Sequence, residues 1–372
     1  MEEELWDACC AGNVEEVQKL LQNPQINTNW QDSELQRTPF YIACREGHIE
    51  IVKLLLNDKR VDIKKPQIES ATPFWIACYY GRIEVVKLLL KLSDEEIETN
   101  KLTKDAFTMQ ERHIGVVDLN KANNSGWTPF YVACQEGHIE VVKLLLNDER
   151  ININKPNRIG QTPFYVACHE GHIEVINLLL KDERVDINKS ENVNDVTPFS
   201  IACQKGYFDI VKLLLDDERI DLNKAQNGET PFYYVCREGR IEIVKLLLNN
   251  ERIDVNKSKN DGTTPLYIVC SYVNIEIVKL LLSDERVDVN KAEKDGWAPF
   301  HRACYQGHLE VVKYLLACGR EIDINKKNNE GEIAIDLARQ RNEMDVVELI
   351  ESFQKNQNET RSKLRKEFDL PG

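Results

Sequence analysis

One stretch of about 34 residues recurs along most of this chain, and a repeat at a fixed period determines the fold before any local motif is read. Its clearest copy runs from Thr128 to Lys155, TPFYVACQEGHIEVVKLLLNDERININK. The proline of successive copies falls at Pro39, Pro73, Pro129, Pro163, Pro198, Pro231, Pro265 and Pro299, at intervals of 34, 56, 34, 35, 33, 34 and 34 residues. The one long interval places an insertion at 91–116. Degenerate copies around Ala8-Cys9-Cys10-Ala11-Gly12 and around Ile333–Ala338 bring the total to about ten units.

Each unit spells out its local structure. Thr128 is a good N-cap, because its hydroxyl accepts an amide hydrogen bond from the first helical turn. Pro129 suits the first helical position, where its missing N–H costs nothing. A short helix over Phe130–Glu136 is stopped by Gly137, which takes the left-handed conformation readily. A second helix runs from Ile139 to about Asn147. Glu140, Lys143 and Asn147 share one narrow polar stripe, and the rest of the cylinder is apolar. No single unit buries such a helix, so neighbouring units must. Ile151-Asn152-Ile153-Asn154 then alternates with period two, as an extended loop returning to the next Thr-Pro.

The pattern resembles the ankyrin repeat. The family signature Thr-Pro-Leu-His-x-Ala-Ala-x-x-Gly-His stands here as Thr-Pro-Phe-Tyr-x-Ala-Cys-x-x-Gly-His, followed by Val-Val-x-Leu-Leu-Leu and a Val-Asn element, across roughly residues 4–350. The resemblance implies an all-α, curved solenoid of stacked helix-turn-helix units with hairpin loops projecting to one side, and a role in binding proteins. There are departures. The family histidine is replaced by Tyr41, Trp75, Tyr131, Tyr165, Ser200, Tyr233 and Tyr267, and His301 alone keeps it. Val273 stands where other copies have glycine, and a β-branched residue at positive φ is strained, so an altered turn is expected there.

The domain expectation is one ankyrin-repeat array over 1–350 and a tail over 351–372. Residues 4–30 form an N-terminal cap, since a terminal unit needs one polar face. Within the insertion, Ser93 and Glu96 suggest a capping box opening a separate short helix from Asp94 to about Leu102. Both a mobile surface loop and a protruding contact element are open readings of it. In the tail, Glu359, Lys363 and Glu367 stand four apart, leaving a frayed end or a marginal helix. Its cluster Arg361, Lys363, Arg365 and Lys366 also fits a docking peptide or a weak nuclear signal.

Composition narrows function. The net charge of −14 opposes general affinity for nucleic acid or anionic membrane. The start MEEELWDACC lacks the apolar core of a secretory signal, and no run reaches the ~18–20 apolar residues of a membrane span. A cytoplasmic, or nuclear, monomer is the expectation. Of eleven cysteines, Cys44, Cys78, Cys134, Cys168, Cys203, Cys236, Cys270 and Cys304 occupy one place in the repeat. Stacked helices lie roughly 8–10 Å apart, whereas a disulfide needs Cα atoms within about 7 Å. These cysteines are therefore small buried packing residues.

His48, His138, His172 and His308 follow the turn glycine, a periodicity that serves architecture better than catalysis. No phosphate loop, His-Glu-x-x-His or nucleophile elbow is present, so no catalytic residue, cofactor or metal is expected. In ankyrin-like proteins partners meet the loop tips and the exposed end of the first helix. Those positions vary here while the framework holds, and they nominate Tyr79, Tyr80, Trp127, Gln135, Glu136 and His169, then Gln204, Arg237, Tyr272, Trp297 and Tyr305. Tyr, Trp and Arg are the residues most often found as hot spots. The expectation is a non-enzymatic scaffold or adaptor for a protein partner. Alternatives are the recognition subunit of an enzyme complex such as a ubiquitin ligase, and a tether to cytoskeleton or membrane proteins.

Overall fold

The computed structural model describes residues 1–102 and 117–371, with side chains from 94 to 102 excepted. The chain divides into two compact units, Met1–Val193 and Asn194–Gly372. The first holds α1 (Glu2–Ala11), α2 (Val14–Leu21), α3 (Pro39–Glu46), α4 (Ile49–Asn57), α5 (Pro73–Tyr79), α6 (Ile83–Leu102), α7 (Pro129–Gln135), α8 (Ile139–Leu146), α9 (Pro163–Glu170) and α10 (Ile173–Leu180). The second holds α11 (Pro198–Lys205), α12 (Phe208–Leu215), α13 (Pro231–Arg237), α14 (Ile241–Leu248), α15 (Pro265–Ser271), α16 (Ile275–Ser283), α17 (Pro299–Tyr305), α18 (Leu309–Ala317), α19 (Ala334–Gln340), α20 (Met344–Lys355) and α21 (Gln357–Glu367). In each unit the odd-numbered inner helices up to α19 stack on one another, and the outer helices from α2 to α20 form a second layer behind them. The fold is an all-α stack of helix-turn-helix repeats, as the period requires.

The local rules act as read. Thr38, Thr128, Thr162 and Thr230 each accept the N–H of the residue three ahead at 3.0–3.1 Å. Ala298 lacks the hydroxyl, and there Nδ1 of His301 accepts the Ala298 N–H at 3.0 Å. The framework cysteines are fully buried, and burial pushes their thiols up, which keeps them protonated and inert. Val141, Val142, Leu145 and Leu146 of α8 are buried, though Ile139 at its start is exposed.

The turn glycine meets two demands. Gly137 adopts φ 72°, and a β-carbon there would come 2.6 Å from Nδ1 of His172 in the next repeat. That closeness exists because the histidine after each glycine reaches back to the preceding inner helix. Nε2 of His172 donates to Gln135 O at 2.7 Å, that of His138 to Tyr79 O at 2.8 Å, and that of His308 to Ser271 O at 3.1 Å. Each fills a carbonyl that a helix end leaves without a partner. Arg82 and Arg240 perform the same task toward Arg45 O and Gln204 O.

At Val273 the turn is altered, though its φ remains left-handed at 59°. Nine other turns bond the N–H after the turn residue to the carbonyl five residues back, as His138 does to Ala133. Among the described residues, Asn274 makes no such bond to Val269.

The separate helix expected at Asp94 is corrected. α6 runs unbroken from Ile83 to Leu102, and Ser93 lies within it, buried, rather than capping a new start. The reason is local: other copies stop at Asn-Asp-Glu-Arg, whereas Lys91-Leu92-Ser93 contains no breaker and continues the buried row of Leu89 and Leu90. The rest of the insertion, His113 included, lies outside the described residues. At the C-terminal end, α20 continues to Lys355 and α21 docks on α18 and α20. Leu364 is buried, Phe368 meets Tyr314 edge-on at 5.1 Å, and Lys313 pairs with Glu367 at 2.7 Å. Arg361 and Arg365 donate to Leu316 O and Ala317 O, so half of the basic cluster caps α18.

Candidate protein-binding surface

Along an inner helix, Pro-Phe-x-x-Ala-Cys turns its side chains into the stack. The two residues after the cysteine pass beyond that buried row, and apart from the buried Ser271 their side chains reach the surface. In Met1–Val193 these ends carry an aromatic group. Trp75 stacks on Tyr79 with ring centroids 5.3 Å apart, and Tyr79 meets Tyr80 edge-on at 5.1 Å. The Arg45 guanidinium of the preceding repeat lies 5.1 Å over the Tyr80 ring, and Arg82 of Tyr80's own repeat lies 5.9 Å from it. Tyr80 is still 38% exposed. Trp127 joins the group through its backbone, where Trp75 Nε1 donates to Trp127 O at 2.7 Å, and its indole stacks on Tyr131 at 6.1 Å. Gln135 and Glu136 are half-buried, and burial together with the nearby Glu136 charge pushes the Tyr79 phenol up. His169 stacks on Tyr165 at 6.4 Å and pairs with Glu170 at 2.7 Å, apart from the aromatic group.

In Asn194–Gly372 the nominated residues separate into two kinds. Gln204 is engaged with Gln226 at 2.6 Å, and Arg237 with Glu229 at 2.6 Å and Glu238 at 3.0 Å. Their side chains hold neighbouring loops. Trp297 and Tyr305, by contrast, form an edge-on pair at 5.1 Å, flanked by Arg341 at 4.9 Å and Arg302 at 6.0 Å from the Tyr305 ring. Tyr272 is 62% exposed and Val273 51% exposed at the strained turn. Neither the stack nor a cap requires a tyrosine there.

A family model described as ankyrin repeats (3 copies) matches residues 5–103, 106–191, 183–259, 199–292, 251–328 and 276–360. The chain belongs to the ankyrin-repeat family. No curated protein matches it. Ankyrin repeats are generally protein–protein interaction modules, and that coarse role carries to this chain.

The ankyrin frame also accounts for the replaced histidine. His301 Nε2 donates to Lys326 O at 2.8 Å, while its Nδ1 serves the cap. Three of the substitutes reach the residue just before the next Thr-Pro instead. Trp75 bonds to Trp127 O, Tyr131 Oη to Gln161 at 3.2 Å, and Tyr233 Oη lies 3.3 Å from Thr263. Reading the sequence missed the arginines that flank the aromatic groups. It also missed a ladder of asparagines: Asn154 donates to Arg184 O at 2.6 Å and accepts from Asp186 N at 2.8 Å, and Asn256 repeats this with Arg286 and Asp288. The Asn-Lys step closing most repeats was the signal available for it. No helix among the described residues is long and apolar enough to cross a membrane.

Proposed function

We propose that this ankyrin-repeat chain is a non-enzymatic scaffold or adaptor that binds a partner protein through the last turns of its inner helices and its loop tips. The supporting observation is that the repeat framework buries its own side chains, yet leaves Tyr80 and Tyr272 exposed beside arginines or a strained turn. Exposed tyrosine next to fixed cations supplies large contact area with little side-chain entropy to lose. In this reading the protein acts as a cytoplasmic or nuclear monomer, and its net charge of −14 directs it away from nucleic acid.

The test is affinity capture from native lysate with the full chain and with a Tyr79→Ala/Tyr80→Ala/Tyr272→Ala/Tyr305→Ala variant that still melts cooperatively. A partner held by the native chain and lost from the variant supports the reading, with at least ~2 kcal/mol lost on purified components. A partner held equally by both removes the inner-helix surface from consideration.

A further inference from the structure

Beside the Trp297–Tyr305 pair lies a cleft of about 380 Å³ between two successive loop tips. Tyr267 and the half-buried Trp297 give it an aromatic lining. Glu293, Asp295 and Glu330 line it with carboxylates, and Arg302 contributes the one guanidinium among its lining residues. That guanidinium is positioned by its Nε bond to Ser271 Oγ at 3.0 Å and keeps its charge, so three carboxylates stand against one cation in the lining.

The cleft is held in shape before anything enters it. Asn329 ties its two tips together, through its N–H to Asp295 O at 2.9 Å and its Nδ2 to Lys294 O at 2.8 Å. The Glu293 carboxylate accepts from Asp295 N and Trp297 N at 3.0 Å each, which fixes the tip that carries the indole. Burial pushes the Tyr267 phenol up to about 12, so that wall stays neutral at physiological pH. An indole and surplus carboxylates on a rigid frame call for a planar cation. A guanidinium stacks on tryptophan and presents a fork of donors to carboxylates, whereas an ammonium is a strongly hydrated point charge that does neither as well.

We propose that this cleft receives an arginine side chain from a basic segment of the partner protein. The inference deepens the interaction reading above and rests on it. The same surface that Tyr272 and Tyr305 mark thereby gains a charge preference, matched to a chain of net charge −14.

A fluorescein-labelled Gly-Ser peptide with spaced arginines is titrated onto the full chain by fluorescence anisotropy, beside lysine and glutamate versions. The arginine peptide is expected to bind tightest and the glutamate peptide not at all. Asp295→Asn/Glu330→Gln weakens the arginine peptide at least ~10-fold, as removal of interface hot spots does. Glu140→Gln/Glu174→Gln, which removes equal charge from exposed outer-helix positions, leaves affinity within about twofold, as expected of screened, distant charge. Trp297→Leu reduces the preference for arginine over lysine. Equal losses from both acid pairs, lysine binding as tightly as arginine, or no binding overturns the proposal. The capture experiment separates the two levels. A partner retained by Asp295→Asn/Glu330→Gln but lost from Tyr272→Ala/Tyr305→Ala leaves the interaction surface standing and removes the arginine cleft. A partner retained by both variants removes the cleft and the Tyr272–Tyr305 part of the surface.

Discussion

At the residue scale, two positions depart from the repeat and carry energetic consequences. Val273 holds a left-handed φ that its branched side chain resists, at a cost on the order of 1–3 kcal/mol. Glycine there regains this at an entropic cost of about 0.5–1 kcal/mol, so Val273→Gly is expected to stabilise the chain by about 1 kcal/mol in urea unfolding. A loss of stability would mean that the valine side chain contributes packing its exposure conceals. The Asn274 amide, lacking the bond its counterparts make, exchanges faster than that of His138, and equal protection would refute the altered turn. His301 is the second departure. Desolvation lowers its pKa below the usual 6.5, and the geometry agrees: Nδ1 faces an N–H, so a proton placed there would set two donors against each other. With the folded pKa depressed, the unfolded chain binds more protons in the window just below pH 6.5. Stability is therefore full above that pH and declines as pH falls through the folded pKa. His301→Tyr, which copies the other repeats, flattens this pH dependence of melting between pH 7 and 5. An unchanged slope would assign the effect to another group.

At the element scale, the last helix behaves as a lid on the end of the outer layer. α21 buries Leu364 against α18 and α20, caps α18 with Arg361 and Arg365, and covers Tyr314 with Phe368. Burial of one leucine contributes about 1.5–3 kcal/mol. A chain ending at Asn356 should lose about 2 kcal/mol, lowering the melting temperature by roughly 4–8 °C. Unchanged melting would show that α21 rests on the surface without stabilising it. The element boundaries also show what a sequence of this kind conveys. Thr-Pro starts and Gly stops were legible because each acts within one turn of chain. The continuation of α6 was harder to see, because it follows from breakers that are absent, and a lone Ser-x-x-Glu outweighed them. Docking of α21 was less legible still, since Leu364 and Phe368 show their purpose only beside helices some fifty residues earlier. The proposed surface was half legible. Variation at the ends of the inner helices nominated Tyr80, Tyr272 and Tyr305, and variation at the loop position before the next helix nominated Trp297. Whether a polar end such as Arg237 is free depends on a loop partner like Glu229, which spacing does not reveal.

At the scale of the whole molecule, stability against acid is distributed by the same repetition. The Asp-x-Arg step closing the outer helices gives five pairs in like geometry, in which Arg60, Arg150, Arg184, Arg219 and Arg286 bond Asp58, Asp148, Asp182, Asp217 and Asp284 at 2.5–2.6 Å. The arginine does more than neutralise its neighbour. Arg60 also donates to Leu21 O and Asn23 O, Arg184 to Leu146 O, and Arg286 to Leu248 O and Asn250 O, so in these three pairs the aspartate orients a clamp on the previous repeat. Hydrogen bonds from the arginine, outweighing burial, hold all five carboxyls below the usual range. A depressed folded pKa contributes stability that is present above the unfolded value of about 3.9 and is lost as pH falls through the folded one. Because the pairs recur in both units, acid should loosen both over one window below about pH 4. Asp58→Asn/Asp217→Asn places one change in each unit. It is expected to cost about 0.2–1 kcal/mol per site at pH 7, the range of partly exposed ion pairs, and to narrow the gap in melting temperature between pH 7 and pH 3. If that gap is as wide in the variant as in the native chain, acid acts through other carboxylates, and the aspartates merely terminate the outer helices.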